Sequence, residues 1–153
     1  METNEIQAAL AAAVEEVLET MCFATVLASD EGVVPPDAES GAPPLTAELR
    51  FQGDPPGGCL VCVPLKLARV VGAGFLGREE EELSDAQAGE VVCELANMIC
   101  GAALSRLESK TTFRITHPEL IAPEGGASVQ GASRWFDLGD GILTVSLELQ
   151  RTV

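Results

Sequence analysis

The residues after Ser84 constrain the fold more than any other stretch: DAQAGEVVCELANMICGAALSRLE, Asp85 to Glu108. Ser84 followed by Gln87 three positions on is a capping-box signature, and Asp85 favours a helix N-terminus. A helix from Asp85 to about Glu108 follows. At 3.6 residues per turn, Val91, Val92, Cys93, Leu95, Ala96, Ile99, Cys100, Ala102, Ala103 and Leu104 spread over a very wide apolar arc. Gln87, Glu90, Glu94, Asn97, Gly101, Ser105 and Glu108 share one narrow stripe. Such a helix must be covered on nearly every side. The chain therefore has to supply a sheet face and neighbouring helices around it.

The remaining sequence contains those partners. Ile6, Leu10, Val14, Val17 and Met21 recur with helical spacing, predicting a helix over Asn4–Thr20. Phe23–Ala28 reads as a strand, Asp30–Pro44 as a loop, and Leu45–Phe51 as a half-buried strand of period two. GDPPGG, Gly53–Gly58, is a turn before an apolar strand at Cys59–Val63. Pro64 opens a short helix to about Phe75. Arg78–Leu83 is a charged loop. Three further strands are expected at Thr112–Thr116, Ser133–Leu138 and Ile142–Leu149, the last two joined by the hairpin signal GDG at Gly139–Gly141. The order is helix and three strands, a short helix, then helix and three strands. That repetition predicts an α+β fold of two layers in one domain over residues 1–153. Long helices would pack on one face of an antiparallel sheet in pseudo-duplicated halves.

Composition excludes several classes of function. The formal charge of −15 argues against nucleic acid and against an anionic membrane surface. No uninterrupted apolar run reaches the length of a membrane span. The acidic first residues lack the pattern of a signal peptide, so a cytoplasmic protein is expected. Five cysteines, an odd number, read as buried thiols in a reducing compartment. Cys59 and Cys62 have CxxC spacing, but no second pair exists and His117 is the one histidine, so no metal site is expected. CLVC also lies in a strand rather than at a helix start, unlike a thioredoxin-type motif.

The stripe has two readings. A mostly buried helix must turn some face to water, and a polar stripe serves that need alone. Read chemically, Glu94 offers a carboxylate to a partner's ammonium. Asn97, one turn on, offers an amide donor and acceptor that can orient a water without changing protonation. Gly101 leaves the surface bare for an incoming protein. This combination suits electrostatic positioning of a water at a phosphoryl group. No Ser–His or Cys–His arrangement for nucleophilic catalysis is evident.

Glu94-Leu-Ala-Asn97-Met98, followed by Gly101, resembles the ExxN signature of the CheC/CheX/FliY family of chemotaxis phosphatases. In that family a proline follows the asparagine by roughly twenty residues, and here Pro118 lies 21 positions on. Val17–Met21 (VLETM) is similar to the first helix of CheX-type members. The resemblance implies hydrolysis of the aspartyl phosphate of a CheY-like response regulator. Glu94 would pair with the regulator's lysine and Asn97 would hold the attacking water, with Met98, Gly101 and Pro118 in support. The implied magnesium belongs to the regulator, so no cofactor of the chain's own is expected. Family members with two sites carry a second ExxN on the first helix. Here Glu15, Glu16 and Glu19 stand there with no asparagine, which implies a single site as in CheX-type members. Those members form dimers through sheet edges, and a homodimer is expected. A non-catalytic regulator-binding or scaffold module of the same fold is the alternative.

Other residues carry less. His117 reads as a surface or capping residue. One of Trp135 and Phe136 should face the core, the other an interface or solvent. Glu79–Glu82 read as a solvated loop. Lys66, Arg69 and Arg78 are candidates to hold an acidic partner, which such an acidic chain could bind only through local complementarity or with marked salt sensitivity.

Overall fold

The structure, a computed structural model, describes residues 3–32, 44–53, 56–107, 113–121 and 131–149. Most of the loop expected before Leu45, the tip of the GDPPGG turn, Glu108 and Thr112 lie outside them. The elements in chain order are α1 (Thr3–Met21), β1 (Ala28–Glu31), β2 (Leu45–Gln52), β3 (Gly57–Val63) and α2 (Leu65–Leu76). A 3-10 turn (Glu80–Glu82) precedes α3 (Asp85–Arg106), and β4 (Arg114–Ile115), β5 (Glu119–Ile121), β6 (Ala132–Asp137) and β7 (Ile142–Leu149) complete the chain.

The local signals explain these boundaries. Ser84 Oγ accepts from the Gln87 N–H, while the Gln87 side chain accepts from the Ser84 N–H, so both arms of the capping box form. Pro64 occupies the N-cap of α2, and Gly77 ends that helix in the left-handed conformation. Strands β2 and β3 alternate buried and half-buried residues, as a sheet covered on one face requires.

All strand pairs are antiparallel, in the order β1-β6-β7-β3-β2-β4, with β5 also on β2. The order reads the same from both ends. β3 and β7 pair at the centre, each beside its own hairpin partner. The first strand of each half, β1 or β4/β5, crosses to edge the other half's hairpin. The helices are exchanged likewise: α3 lies over β2 and β3, and α1 over β6 and β7. The expected duplication is thus present in topology. One core joins Leu10, Val14 and Leu18 of α1, Leu95 and Ile99 of α3, Leu67 of α2, and Leu49, Phe51, Val61, Phe136, Leu143 and Leu147 of the sheet. Phe136 faces this core, and Trp135 is half-buried on the opposite face.

Three expectations require correction. Phe23–Ala28 is not a strand. Phe23 takes φ 55° and is 82% exposed, ending α1 as the Ala24 N–H bonds the Leu18 carbonyl. Pairing starts only where the Leu27 N–H reaches Asp137 O, so β1 is the polar ASDE, tolerable because it edges the sheet. Met21, placed on the buried side of α1, is 42% exposed at its last turn. The strand expected at Thr112–Thr116 is shorter, and its track along β2 resumes as β5. Pro118, lacking an N–H, falls in the break, as edge-strand prolines do.

Candidate active site on the third helix

The polar stripe of α3 is open to solvent. Glu90, Glu94, Asn97 and Ser105 are exposed and Gly101 is half-buried, while Val91, Val92, Leu95, Ala96, Ile99, Cys100, Ala103 and Leu104 are buried. Glu94 and Asn97 make no side-chain hydrogen bond or ion pair with another described residue. Their backbone is nonetheless rigidly held, because the rest of that helical turn is locked in the core. Met98 packs partly against the core. Among the described residues a Cβ built on Gly101 would meet nothing closer than Ile115 Cδ1 at 3.8 Å, ordinary van der Waals contact. The packing of the described residues therefore does not require the bare spot.

The edge strand runs beside the stripe. A Cβ on Gly89 would come 2.7 Å from Leu120 Cδ1, and one on Gly101 would touch Ile115. Gly89 to Gly101 rises about 18 Å along α3. Ile115 to Leu120 spans about 16 Å of extended chain. The two tracks thus run antiparallel and nearly matched in length. Pro118 falls level with the turn that holds Glu94 and Asn97. It is buried, whereas His117 beside it is exposed. Thr116 fastens the break, its N–H donating to Arg50 O and its Oγ1 accepting from the Arg50 N–H.

Charge is unevenly distributed around these residues. Burial, then Glu94, Glu119 and Glu90, raise the pKa of the half-buried Cys93 thiol. The N-terminal part of the stripe is therefore acidic, and Glu48 lies opposite Glu119 in register. Arg114 and Arg50 are exposed and share the sheet face away from α3, because Arg114 pairs with Gln52 while the inward Ile115 pairs with Phe51. Among the described residues no group of three or more His, Cys, Asp or Glu could hold a metal ion. Cys59 and Cys62 point to opposite faces of β3, since an odd offset in a strand reverses direction. Cys59 instead lies near Cys100 inside the core, and that neighbour together with burial holds its thiol pKa well above the usual value.

The corresponding region of α1 is arranged differently. Glu15 and Glu19 are exposed, and Glu16 is engaged by Arg106 from the last turn of α3. Arg69 pairs with Asp85, while Lys66 and Arg78 are exposed. Sequence reasoning missed Glu119 and Ile115 as neighbours of the stripe. Their position depends on long-range pairing with β2, which no local periodicity encodes. Helix α3 is long and apolar enough to cross a membrane by length and composition, but most of that window is buried inside the fold.

A family model described as chemotaxis phosphatase CheX matches residues 45–135, more than half of the chain. Comparison with curated protein sequences gave no match. The CheX–CheY–BeF3–Mg2+ complex from Borrelia burgdorferi contains a similar chain, with TM-score 0.73 and 19% identity, covering 95% of this chain and 97% of that one. The chemotaxis protein CheX from Desulfovibrio desulfuricans gives TM-score 0.71 and 22% identity, covering 95% and 99%. FliY from Thermotoga maritima is more distant, at TM-score 0.56 and 12% identity over 95% and 90%. These likenesses concern the fold, and the family match covers the segment from β2 through most of β6, with α3 and Pro118 inside it. The chain belongs to the CheX family of chemotaxis phosphatases.

Proposed function

We propose that this chain, as one CheX-like domain over residues 1–153, hydrolyses the aspartyl phosphate of a CheY-like response regulator in the cytoplasm. Glu94 anchors the regulator through a lysine ammonium. The Asn97 amide holds a water in line with the scissile P–O bond. The water oxygen bonds to phosphorus, the aspartyl carboxylate leaves, and phosphate is released with the water's proton passing to solvent. Magnesium carried by the regulator offsets charge on the phosphoryl oxygens. Gly101 admits the partner's backbone, while Pro118 and Met98 fix the backbone around the pair. The observation that carries this reading is an exposed carboxylate and amide one helical turn apart on a helix otherwise locked in the core, in a chain of this family. The neighbour crystallised with CheY and BeF3 supports the choice of partner.

The test compares wild type, Glu94→Ala and Asn97→Ala on a phosphorylated CheY-like regulator. Losing one oriented polar group at such a centre costs about 10²–10³ in rate. Equal rates for all three would overturn the residue assignment. Wild type that binds the beryllofluoride-activated regulator without accelerating hydrolysis would make the chain a non-catalytic binding module. We further infer a homodimer joined through sheet edges, for which β1 and the β4/β5 track are the available edges. Light scattering of the purified chain tests it, and a monomer at micromolar concentration would overturn it.

A further inference from the structure

We propose that Leu120, at the sheet edge beside α3, is the apolar docking contact of this surface and packs against an apolar side chain that the CheY-like regulator presents alongside its phosphoryl site. The proposal rests on the phosphatase reading above and adds a second point of attachment for the partner.

The placement follows from register. Leu120 pairs with Ala47, which is fully buried, so both side chains turn to the face that carries α3. Its chain neighbours Glu119 and Ile121 pair with Glu48 and Thr46 and turn to the other face. A Cβ on Gly89 would come 2.7 Å from Leu120 Cδ1, so the leucine rests against bare helix backbone there. Gly89 thereby has a reason: an interior glycine weakens a helix, and here it makes room for that side chain. The helix covers Leu120 only in part, leaving it 47% exposed. Cys93, one turn on from Gly89 and half-buried, continues the apolar surface toward Glu94, its neighbour in the chain.

Distance brings Leu120 inside the footprint of a docked partner. Gly89 and Asn97 are separated by about 12 Å along the helix axis. A specific protein partner covers about 800 Å² of each surface, a patch of about 16 Å radius. A regulator with its phosphoryl group at Asn97 therefore reaches over Leu120. Five large apolar side chains are exposed among the described residues, and the other four stand elsewhere. Met21, Phe23 and Leu27 lie between the end of α1 and β1, at the opposite edge of the sheet, and Leu76 ends α2. In a chain of charge −15, Glu90 and Glu94 attract only the partner's cations. An apolar contact beside them adds affinity that salt does not screen.

Steady-state dephosphorylation of the CheY-like regulator, with binding of its beryllofluoride-activated form, tests this. Leu120→Gln keeps the length of the side chain and removes its apolar end. It should raise KM and Kd about fivefold or more, equally at low salt and near 0.5 M salt, and leave kcat within about twofold. Leu120→Met, apolar and of similar volume, should stay within about twofold of wild type. Leu76→Ala, at a comparably exposed leucine outside the footprint, should change nothing. An unchanged KM for Leu120→Gln beside an inactive Asn97→Ala overturns this inference and keeps the phosphatase reading. An equal KM rise for Leu76→Ala or for Leu120→Met overturns it too, because apolar contact at this place would then not be the cause. A fall in kcat alone would also overturn it, since docking would be intact. Wild type with no activity and no binding overturns both readings.

Discussion

Gly101→Ala separates folding from function at this site. Interior glycine costs a helix about 1 kcal/mol relative to alanine, so the residue is a liability unless something needs the space. Among the described residues nothing does: the added Cβ would sit 3.8 Å from Ile115 Cδ1 with no backbone or rigid group closer. The site is half-buried, so the new methyl also covers a little apolar surface. The expected effect is stabilisation by about 0.5–1 kcal/mol, or about 1–4 °C in Tm for a chain of this size. If the bare surface serves a partner's backbone, the same variant should lose most of its phosphatase activity while folding better. Urea denaturation and the regulator assay on one preparation read both. Destabilisation would refute the packing argument. Stabilisation with unchanged activity would refute the role assigned to the open surface. Gly74→Ala is the contrast, because its Cβ would come 2.1 Å from Cys22 O. Both groups there are backbone and cannot swing aside, so a loss of about 1–3 kcal/mol is expected.

Two further outcomes follow from burial and charge. Burial pushes the Cys22 thiol up to about 11 from 9.0, so the folded chain holds its proton where the unfolded chain releases it. Stability should be full below about pH 9 and fall by at most about 2 kcal/mol on this thiol's account as pH rises toward 11; denaturation midpoints under reducing conditions should show this slope, and Cys22→Ala should make it shallower, the raised thiols of Cys59 and Cys93 supplying the rest. Glu16 and Arg106 are each partly exposed, so Glu16→Gln should cost at most about 1 kcal/mol and leave dephosphorylation unchanged, whereas a lost activity would reveal a second working site on α1.

Much of the architecture was legible because its signals are local. The capping box at Ser84, the proline before α2, the period-two alternation of β2 and the GDG hairpin each act within a few residues, and each appears in the structure. The candidate site residues were legible for another reason. Glu94, Asn97 and Gly101 share a helical face by arithmetic alone, and their spacing matched a family signature. What local patterns did not encode was where chain ends and edges lie. FATVLA has the composition of a strand, yet Phe23 is spent on ending α1 and the real strand is the polar ASDE. The segment around Pro118 offered too few residues for a strand pattern, because a proline splits it and β2 supplies the order. Ile115 and Glu119 owe their relation to the stripe to that same pairing.

The topology bears on why the candidate pair lies on one helix. A duplicated fold offers two equivalent faces, on α1 and on α3, each beside the edge strand contributed by its own half. On α3 the carboxylate and amide are left open and a buried proline lies level with them. On α1 Glu15 and Glu19 are exposed, and several other polar groups on or beside the helix are engaged. Gln7 is buried and donates to Ser133 O, Arg134 reaches Ser29 and Gln7, and Glu16 takes Arg106. Those bonds fasten α1 to β6 and to the end of α3. Restoring an asparagine at Glu19 would therefore not restore a second site, because Glu16, three residues before it, is held by the other helix. The α1 half thus acts as a support for the helix that carries the candidate pair.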